Sequence, residues 1–573
     1  MARPLRGPQK QAEFWQKKGQ NLAAQGDYQR AKHFYQQILT LYPQHAVTWY
    51  NLGEIDFLQG DMAAAQEKLS HACNYDPGFT IAWDRLGQAY AKLLQFEKAL
   101  EIFLHVRSLD PQHPSIDVLI AYAHDMLGHS DEAQKNWQKA YEVSPTPDRY
   151  LGGHCTMPAV LQSVEHEKNL ESTVLKACQD VMQQAPQSGY PDYMANGAFY
   201  IAYHQGNIRP IQEAITAAYA HAYPDMCYEA PHVASWKPGE KIKLGVASSM
   251  LKDHRHSMYR TFKRTIDGLN QDPIEVVIFD SLPMDYQQAR QIIAEAECDI
   301  LFYPDILMDQ LLYFLSYARL APIQCISTGH PVTTGLKSID YYLSVDTLEL
   351  PEAQEHYTEK LVNLTGVASC YEPLDPPATR KSPSDLGLPE GKNIYACPVH
   401  LFKIHPVMDQ AFEQILAKDP DGIIVVVNTN SKQKQLLQQR WQDKDFERII
   451  WLEMLPFDDF MQLIMMSSVV LDTFPFGGGN TIYMSLSLGT PVITKPEPYM
   501  RGRAASHLYS IMGIKDCITK DIDDYVTKAV TLANDPTYLS KVCEAIAKTK
   551  GKIFLNDDII NSYREFFRKI VQQ

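Results

Sequence analysis

The chain has 573 residues, more than one hydrophobic core normally serves, so about two to four domains are expected. Hydrophobic residues make up 45% and charged residues 21%, a globular balance rather than a disordered one. The net charge of −15 argues against a broad nucleic-acid or anionic-membrane surface and leaves room only for a local basic groove. Arg3, Arg6 and Lys10 have no apolar run behind them, so no signal peptide is read; no run of about 18 apolar residues predicts a transmembrane helix. The ten cysteines are scattered from Cys73 to Cys543 without a C-x-x-C pair, which reads as buried free thiols in a reducing, cytoplasmic compartment.

The first part of the chain repeats with a period of 34 residues. Pro43, Pro77, Pro111 and Pro145 keep that step, as do Ala31, Ala65, Ala99 and Ala133, Gly19, Gly53 and Gly87, and Trp15, Trp49 and Trp83. This is the tetratricopeptide pattern: two helices per unit, small residues where they cross, and a proline ending the second. Residues 12–147 are predicted to form about four such units stacked as a superhelix with a concave side. That side suits a protein or peptide partner; the alternative is a surface for homodimerisation or scaffolding. Residues 148–235 keep helical spacing (Tyr200, Ile201, Tyr203, Ile211) and are predicted to be a helical connector.

From Lys241 short β-rich runs alternate with helical stretches. The runs are Lys241–Ser249, Glu275–Asp280, Asp299–Pro304, Ile323–Thr328 and Tyr341–Val345, with Met308–Arg319 among the helical stretches. After Glu372–Pro389, rich in Pro and Ser and read as a linker, the pattern restarts at Asn393–Pro398, Ile423–Asn428, Arg448–Glu453, Val469–Phe474 and Pro491–Lys495. The expected fold is therefore α/β with an all-α N-terminal part: a tetratricopeptide superhelix, then two Rossmann-like lobes over residues 236–380 and 390–573. Facing strand ends would enclose a ligand cleft. The last helix, about Asp557–Val571, is placed to return to the first lobe.

The densest chemical signal is Leu471-Asp-Thr-Phe-Pro-Phe-Gly-Gly-Gly-Asn-Thr481, a strand, a glycine-rich loop and a helix start. Such a turn lets backbone approach an anion, and the free N–H groups near Asn480 and Thr481 suit a phosphate; a purely structural glycine turn is the alternative. It is neither a P-loop nor a dinucleotide fingerprint.

Together with the repeats, several segments in order resemble the O-GlcNAc transferase/SPINDLY family, to which bacterial adhesin N-glucosyltransferases are related. They are Leu320-Ala-Pro-Ile-Gln324, Gly329-His-Pro-Val-Thr-Thr-Gly335, Ile339-Asp-Tyr341, Tyr357-Thr-Glu-Lys-Leu-Val362, Leu401-Phe-Lys403, the glycine-rich segment and Met500-Arg-Gly-Arg503. The resemblance implies the GT-B arrangement and inverting, metal-independent transfer from a nucleoside-diphosphate sugar, with no cofactor. The donor stays open between UDP-GlcNAc, another UDP-hexose and GDP-fucose. The acceptor implied is a protein Ser or Thr, with Asn second, held by the repeat groove.

By that resemblance Lys403 contacts the donor diphosphate, where neutralising charge on the departing group is needed. Gly478, Gly479, Asn480 and Thr481 serve the same group, and Phe460 offers a ring for the base. His254 matches a histidine on the first βα loop and is a candidate base or acceptor-orienting group; a loop histidine without chemistry is the alternative, and His256 has weaker support. Asp305 is a second base candidate or a helix cap with Asp309. His330, Thr333 and Thr334 resemble a segment lining the sugar site; Arg501 and Arg503 either reach phosphate or brace their loop. Three departures stand out: Met484 where the family usually carries a ribose-binding acid, Phe457 and Phe460 where animal members carry Lys and His, and Met258 in place of a histidine. Asp419-Pro-Asp421 imitates a metal-binding D-x-D but reads as a turn, and no metal-ligand spacing is found. The alternative function is a decayed scaffold that still binds nucleotide.

Overall fold

The computed structural model describes residues 7–573; Arg3 and Arg6 lie outside the described residues. The chain divides into two compact units, one made of residues up to Gly153 together with Ser281–Ala289, the other of His154–Asp280 and Arg290–Gln573.

The first unit contains helix pairs: Gly7–Ala24 with Tyr28–Leu41, Ala46–Leu58 with Met62–Tyr75, Thr80–Lys92 with Phe96–Leu109, and Ile116–Met126 with Ser130–Val143. The 34-residue period has a direct steric cause. A Cβ added at Gly19 would lie 2.6 Å from the Tyr35 ring, at Gly53 2.7 Å from Leu69, and at Gly87 2.5 Å from the Phe103 ring, so each crossing is too close for a side chain. Ala31, Ala65, Ala99 and Ala133 are all completely buried at the companion position. The Trp49 and Trp83 indoles donate to the carbonyls of Pro43 and Pro77 at 2.8 and 3.0 Å, tying each repeat start to the preceding proline turn.

The second unit begins with helices, the longest being Val164–Met182 and Arg209–Ala222. Two parallel sheets follow. The first runs in the order β2-β1-β3-β4-β5-β6, from β1 (Ile242–Ala247), β2 (Ile274–Phe279), β3 (Ile300–Tyr303), β4 (Ile323–Ser327), β5 (Tyr341–Val345) and β6 (Lys360–Leu364). The second runs β11-β10-β7-β8-β9, from β7 (Asn393–Cys397), β8 (Gly422–Asn428), β9 (Ile449–Glu453), β10 (Val469–Leu471) and β11 (Val492–Ile493). Both are doubly wound, and the predicted strand runs coincide with ten of these eleven strands. β3, β4 and β8 are buried along their whole length, which is why they read as continuous apolar runs. The strand order reverses between β1 and β3 in the first lobe and between β7 and β10 in the second, the places where such sheets open a ligand crevice.

The C-terminal helix Asp558–Ile570 buries Ile559, Ile560, Tyr563, Phe567 and Ile570 on one stripe. It packs on the first lobe: the Tyr563 hydroxyl lies 2.6 Å from that of Ser327, and Arg564 donates to the Gly268 carbonyl at 2.6 Å. The connector also docks here. Gly335 takes φ +74°, and a side chain there would meet the Gln212 backbone at 2.6 Å.

Candidate functional site

Both reversal points carry the residues of interest. In the second lobe β7 leads into a single turn, Leu401–Lys403, and β10 into the glycine loop, so Lys403 lies across the crevice from Gly477. Its ammonium donates to the Gly477 carbonyl at 3.3 Å and sits 4.6 Å from the Phe476 ring centroid. Burial pulls its pKa down to about 8, with Asp472 opposing. Asp472, at the end of β10, accepts the Gly478 N–H at 2.8 Å and the Thr494 hydroxyl at 2.7 Å. Burial pushes its carboxyl up to about 6 against those bonds and the Lys403 charge. The carboxylate therefore fixes the loop and keeps a counter-charge under the lysine.

Beyond the loop, helix Asn480–Leu488 begins with Gly479 at its cap and no side chain caps it, and Gly479, Asn480 and Thr481 line the crevice. The Gly478 amide, expected to serve a phosphate, is engaged by Asp472 instead. The Asn480 side chain is also engaged: Tyr371 donates to its Oδ1, and its amide nitrogen lies 3.4 Å from the Met484 sulfur. Gly479 has open space at its Cβ position, and Thr481 lines the cleft.

The cleft holds about 460 Å³ and is walled by both lobes and by the connector. Tyr203 of the connector meets Phe476 at 4.4 Å and Phe402 at 4.8 Å between ring centroids. Arg501 lines the same space while donating to the carbonyls of His204 and Gly206 at 2.9 and 2.6 Å; burial lowers its pKa to about 10, so it stays a cation. Two cations, Lys403 and Arg501, and the histidines 256, 330, 400 and 507 face the cavity, and no Asp or Glu is among the described residues lining it. Burial, then the Lys403 charge, brings His330 to about 3, so it is a neutral ring at pH 7; its Nε2 is buried without a hydrogen-bond partner.

Several expected residues lie elsewhere. His254 is exposed and lines a separate outer groove of about 870 Å³ beside Arg260, Arg264 and Arg564. It is His256 that faces the cleft, capping helix Ser257–Leu269 with Nδ1 accepting the Met258 N–H at 3.2 Å, which leaves the ring proton on Nε2. Asp305 is 1% exposed and absent from the cleft lining; its Oδ2 accepts the Ser248 hydroxyl at 2.7 Å across the β1/β3 reversal, and burial raises it to about 7. The helix cap is supplied by Asp309, which accepts the Leu312 N–H at 2.9 Å. Thr333 and Thr334 are buried and donate to Glu359, so their hydroxyls hold that carboxylate rather than a sugar. Phe460 packs against the second lobe's core. Its neighbour Phe457 carries the Arg260 guanidinium 4.7 Å from its ring. Arg503 braces two loops, donating to the carbonyls of Leu348 at 2.8 Å and Glu497 at 3.1 Å. The sequence reading missed Tyr203, His507 and Asp472 as site residues; only Asp472 had a signal, its place inside the glycine-loop motif.

The two doubly wound lobes thus enclose a cationic crevice in which a lysine stands beside a helix start. Residues 376–560 match the model of glycosyl transferase family 41, and residues 22–93 and 81–113 match tetratricopeptide repeat models. The family 41 match falls on the second lobe and the segment before it, and the chain is similar to O-GlcNAc transferase/SPINDLY proteins over that part of its length. It is 28% identical over 264 residues to a probable UDP-N-acetylglucosamine–peptide N-acetylglucosaminyltransferase SPINDLY of Petunia hybrida, covering 44% of this chain and 28% of that protein. The Arabidopsis thaliana SPINDLY protein is 30% identical over 230 residues, 39% of this chain and 25% of that one. A UDP-glucose:protein N-β-glucosyltransferase of Actinobacillus pleuropneumoniae is 24% identical over 337 residues, 52% of this chain and 53% of that one. In fold, the chain is similar to a Thermobaculum terrenum O-GlcNAc transferase variant, with a TM-score of 0.52, 18% identity and 99% of each chain covered. The matched region thus spans about a quarter of the length of the SPINDLY proteins.

Proposed function

We propose that the chain is an inverting protein glycosyltransferase that moves a sugar from a nucleoside-diphosphate donor onto a Ser or Thr hydroxyl, with Asn as second choice. The observation that carries this reading is the cationic, carboxylate-free cleft in which Lys403 faces the start of helix Asn480–Leu488. An anion of two phosphates suits that charge. The acceptor oxygen attacks the anomeric carbon while the sugar–phosphate bond breaks, its hydroxyl proton passing to the leaving diphosphate, and the negative charge that remains on the diphosphate meets the Lys403 ammonium and the helix-start amides. The unpartnered Nε2 of His330 and the Nε2–H of His256 are among the polar groups of the cleft lining available to the sugar and the acceptor. The repeat unit supplies the protein-binding surface, and the ten free cysteines support a reducing, cytoplasmic setting. Relatives are named for UDP-N-acetylglucosamine and UDP-glucose, so UDP-sugars come first in a donor panel and GDP-fucose after them.

A second reading, a scaffold with decayed lobes, rests on Met484, which is 2% exposed and engages the Asn480 amide where a ribose-binding acid is usual in the resembled family. Melting curves with UDP and GDP separate the two. A diphosphate at a hundredfold over its Kd adds about 2.7 kcal/mol and raises the melting temperature by about 3 °C under the first reading. No shift with either nucleotide, and no sugar transfer from any donor, favours the scaffold.

A further inference from the structure

A buried group of side chains near the cleft has a chemistry that the proposed transfer does not use. Glu167 and Glu171 lie one turn apart on helix Val164–Met182 and so face the same way. His204, from the turn after Ile201–Tyr203, brings its Nδ1 to 3.1 Å from Glu171 Oε1 and 3.9 Å from Glu167 Oε1. The donor atoms of the three residues all lie within 4.8 Å of one another. Glu167 and His204 are 2% and 1% exposed, while the Glu171 side chain keeps 25% of its surface in solvent, a route for an ion to enter.

The imidazole proton of His204 can bridge to one carboxylate only, and Glu171 is the one in range. Glu167 is left with the Gln205 N–H and with His405, whose buried Nε2 stands 3.3 Å from Glu167 Oε2. Because His405 Nδ1 accepts the Val407 N–H at 3.3 Å, its Nε2 carries the proton and is an outer-sphere donor to Glu167 rather than a ligand. A cation at the centre serves both carboxylates at once. Tetrahedral bonds of about 2.0–2.2 Å place ligand atoms about 3.3–3.6 Å apart, and the His204 separations of 3.1 and 3.9 Å bracket that spacing.

We propose that Glu167, Glu171 and His204 form a divalent-cation site of the zinc class, with His405 and the Gln205 amide as its outer shell and water in the fourth position. An imidazole beside two carboxylates is a donor set that zinc accepts, whereas magnesium and calcium prefer oxygen ligands alone. Its role is to pin helix Val164–Met182 to the His204 turn within the connector, with His405 as the link to the second lobe. The ion holds His204, whose carbonyl and that of Gly206 receive Arg501, and it steadies His405 two residues after Lys403. That last consequence for the cleft rests on the proposed transferase reading; the site itself does not.

The test uses the full chain, stripped with EDTA, reloaded with zinc chloride and dialysed, followed by elemental analysis and melting with and without EDTA. One zinc per chain, a melting temperature lowered by EDTA, and at least a ~100-fold loss of zinc affinity in Glu171→Gln are expected. His204→Gln is measured alongside, so that the assignment can be judged even where one variant fails to fold. Reloaded protein without stoichiometric zinc and with EDTA-insensitive melting overturns the proposal and leaves an imidazole proton as the only bridge. So does a folded variant that retains its zinc, which moves the metal to another place such as the cysteines. None of these readouts depends on sugar transfer.

Discussion

Lys403→Met should weaken ligand binding and stabilise the empty fold. The lysine falls from 10.5 to about 8 in the folded protein because burial disfavours its charge, with Asp472 opposing. At pH 7 it is protonated in both folded and unfolded states, so the folded state bears the full cost of burying the cation. That cost is on the order of 2–3 kcal/mol once its half-buried position is allowed for. It shrinks as pH rises through about 8, where the folded lysine loses its proton, and is gone above 10.5, where both states are neutral. Methionine has a similar length and no charge, so the ligand-free variant should melt about 3 °C higher at pH 7, with the gain fading by pH 10. Binding should go the other way. An ammonium about 4 Å from a phosphate at an effective dielectric near 20 contributes up to ~4 kcal/mol, so UDP or GDP affinity should drop by about 100- to 1000-fold. Scanning fluorimetry from pH 6 to 10 and titration calorimetry read the two effects. A variant that melts lower than wild type and binds nucleotide diphosphate within threefold of it would refute the placement of this charge.

Other outcomes follow from the same geometry. Asp472 holds the Lys403 pKa up, so Asp472→Asn should move the alkaline limb of kcat/KM, expected near pH 8, to lower pH; an unmoved limb removes Lys403 as its source. His256→Ala should cost about 10–100-fold in kcat/KM and His254→Ala less than threefold, since only the former lines the cleft; the reverse ranking restores His254. Asp305→Asn should leave kcat within threefold. Its carboxyl, raised to about 7, favours the protonated form in the fold, so native stability should fall between about pH 4 and 7 in wild type and less in the variant. A kcat loss above 100-fold would make Asp305 the base after all. In the repeat unit, Gly87→Ala puts a Cβ 2.5 Å from the Phe103 ring and should destabilise that unit by about 1–3 kcal/mol in urea, while unchanged unfolding would mean the helices separate freely.

The sequence was most legible where function or packing is local. The repeat period shows because each Gly–Tyr35, Gly–Leu69 or Gly–Phe103 crossing recurs at a fixed spacing, and buried strands such as β8 show as unbroken apolar runs. β6 was not read as a strand because it is an edge strand, with Lys360 and Asn363 exposed and only Leu364 buried. In the site, Lys403 and the glycine loop were legible because each follows directly from a strand end. Side-chain direction was not. Thr333 and Thr334 turn inward because Glu359, 25 residues on, needs donors for a buried carboxylate. Arg503 is drawn to the carbonyls of Leu348 and Glu497, and Phe460 to the core, by contacts that no local pattern encodes. His254 and His256 differ only in which one caps helix Ser257–Leu269 and so faces inward.

The central claim is sugar transfer at the Lys403 cleft. Its most direct test is intact-protein mass spectrometry of acceptor proteins incubated with the full chain and a panel of UDP- and GDP-sugars, beside a Lys403→Ala control. A hexose, N-acetylhexosamine or deoxyhexose mass increment that disappears in the control is the predicted result. No increment with any donor, or an increment that persists undiminished with Lys403→Ala, would contradict the account.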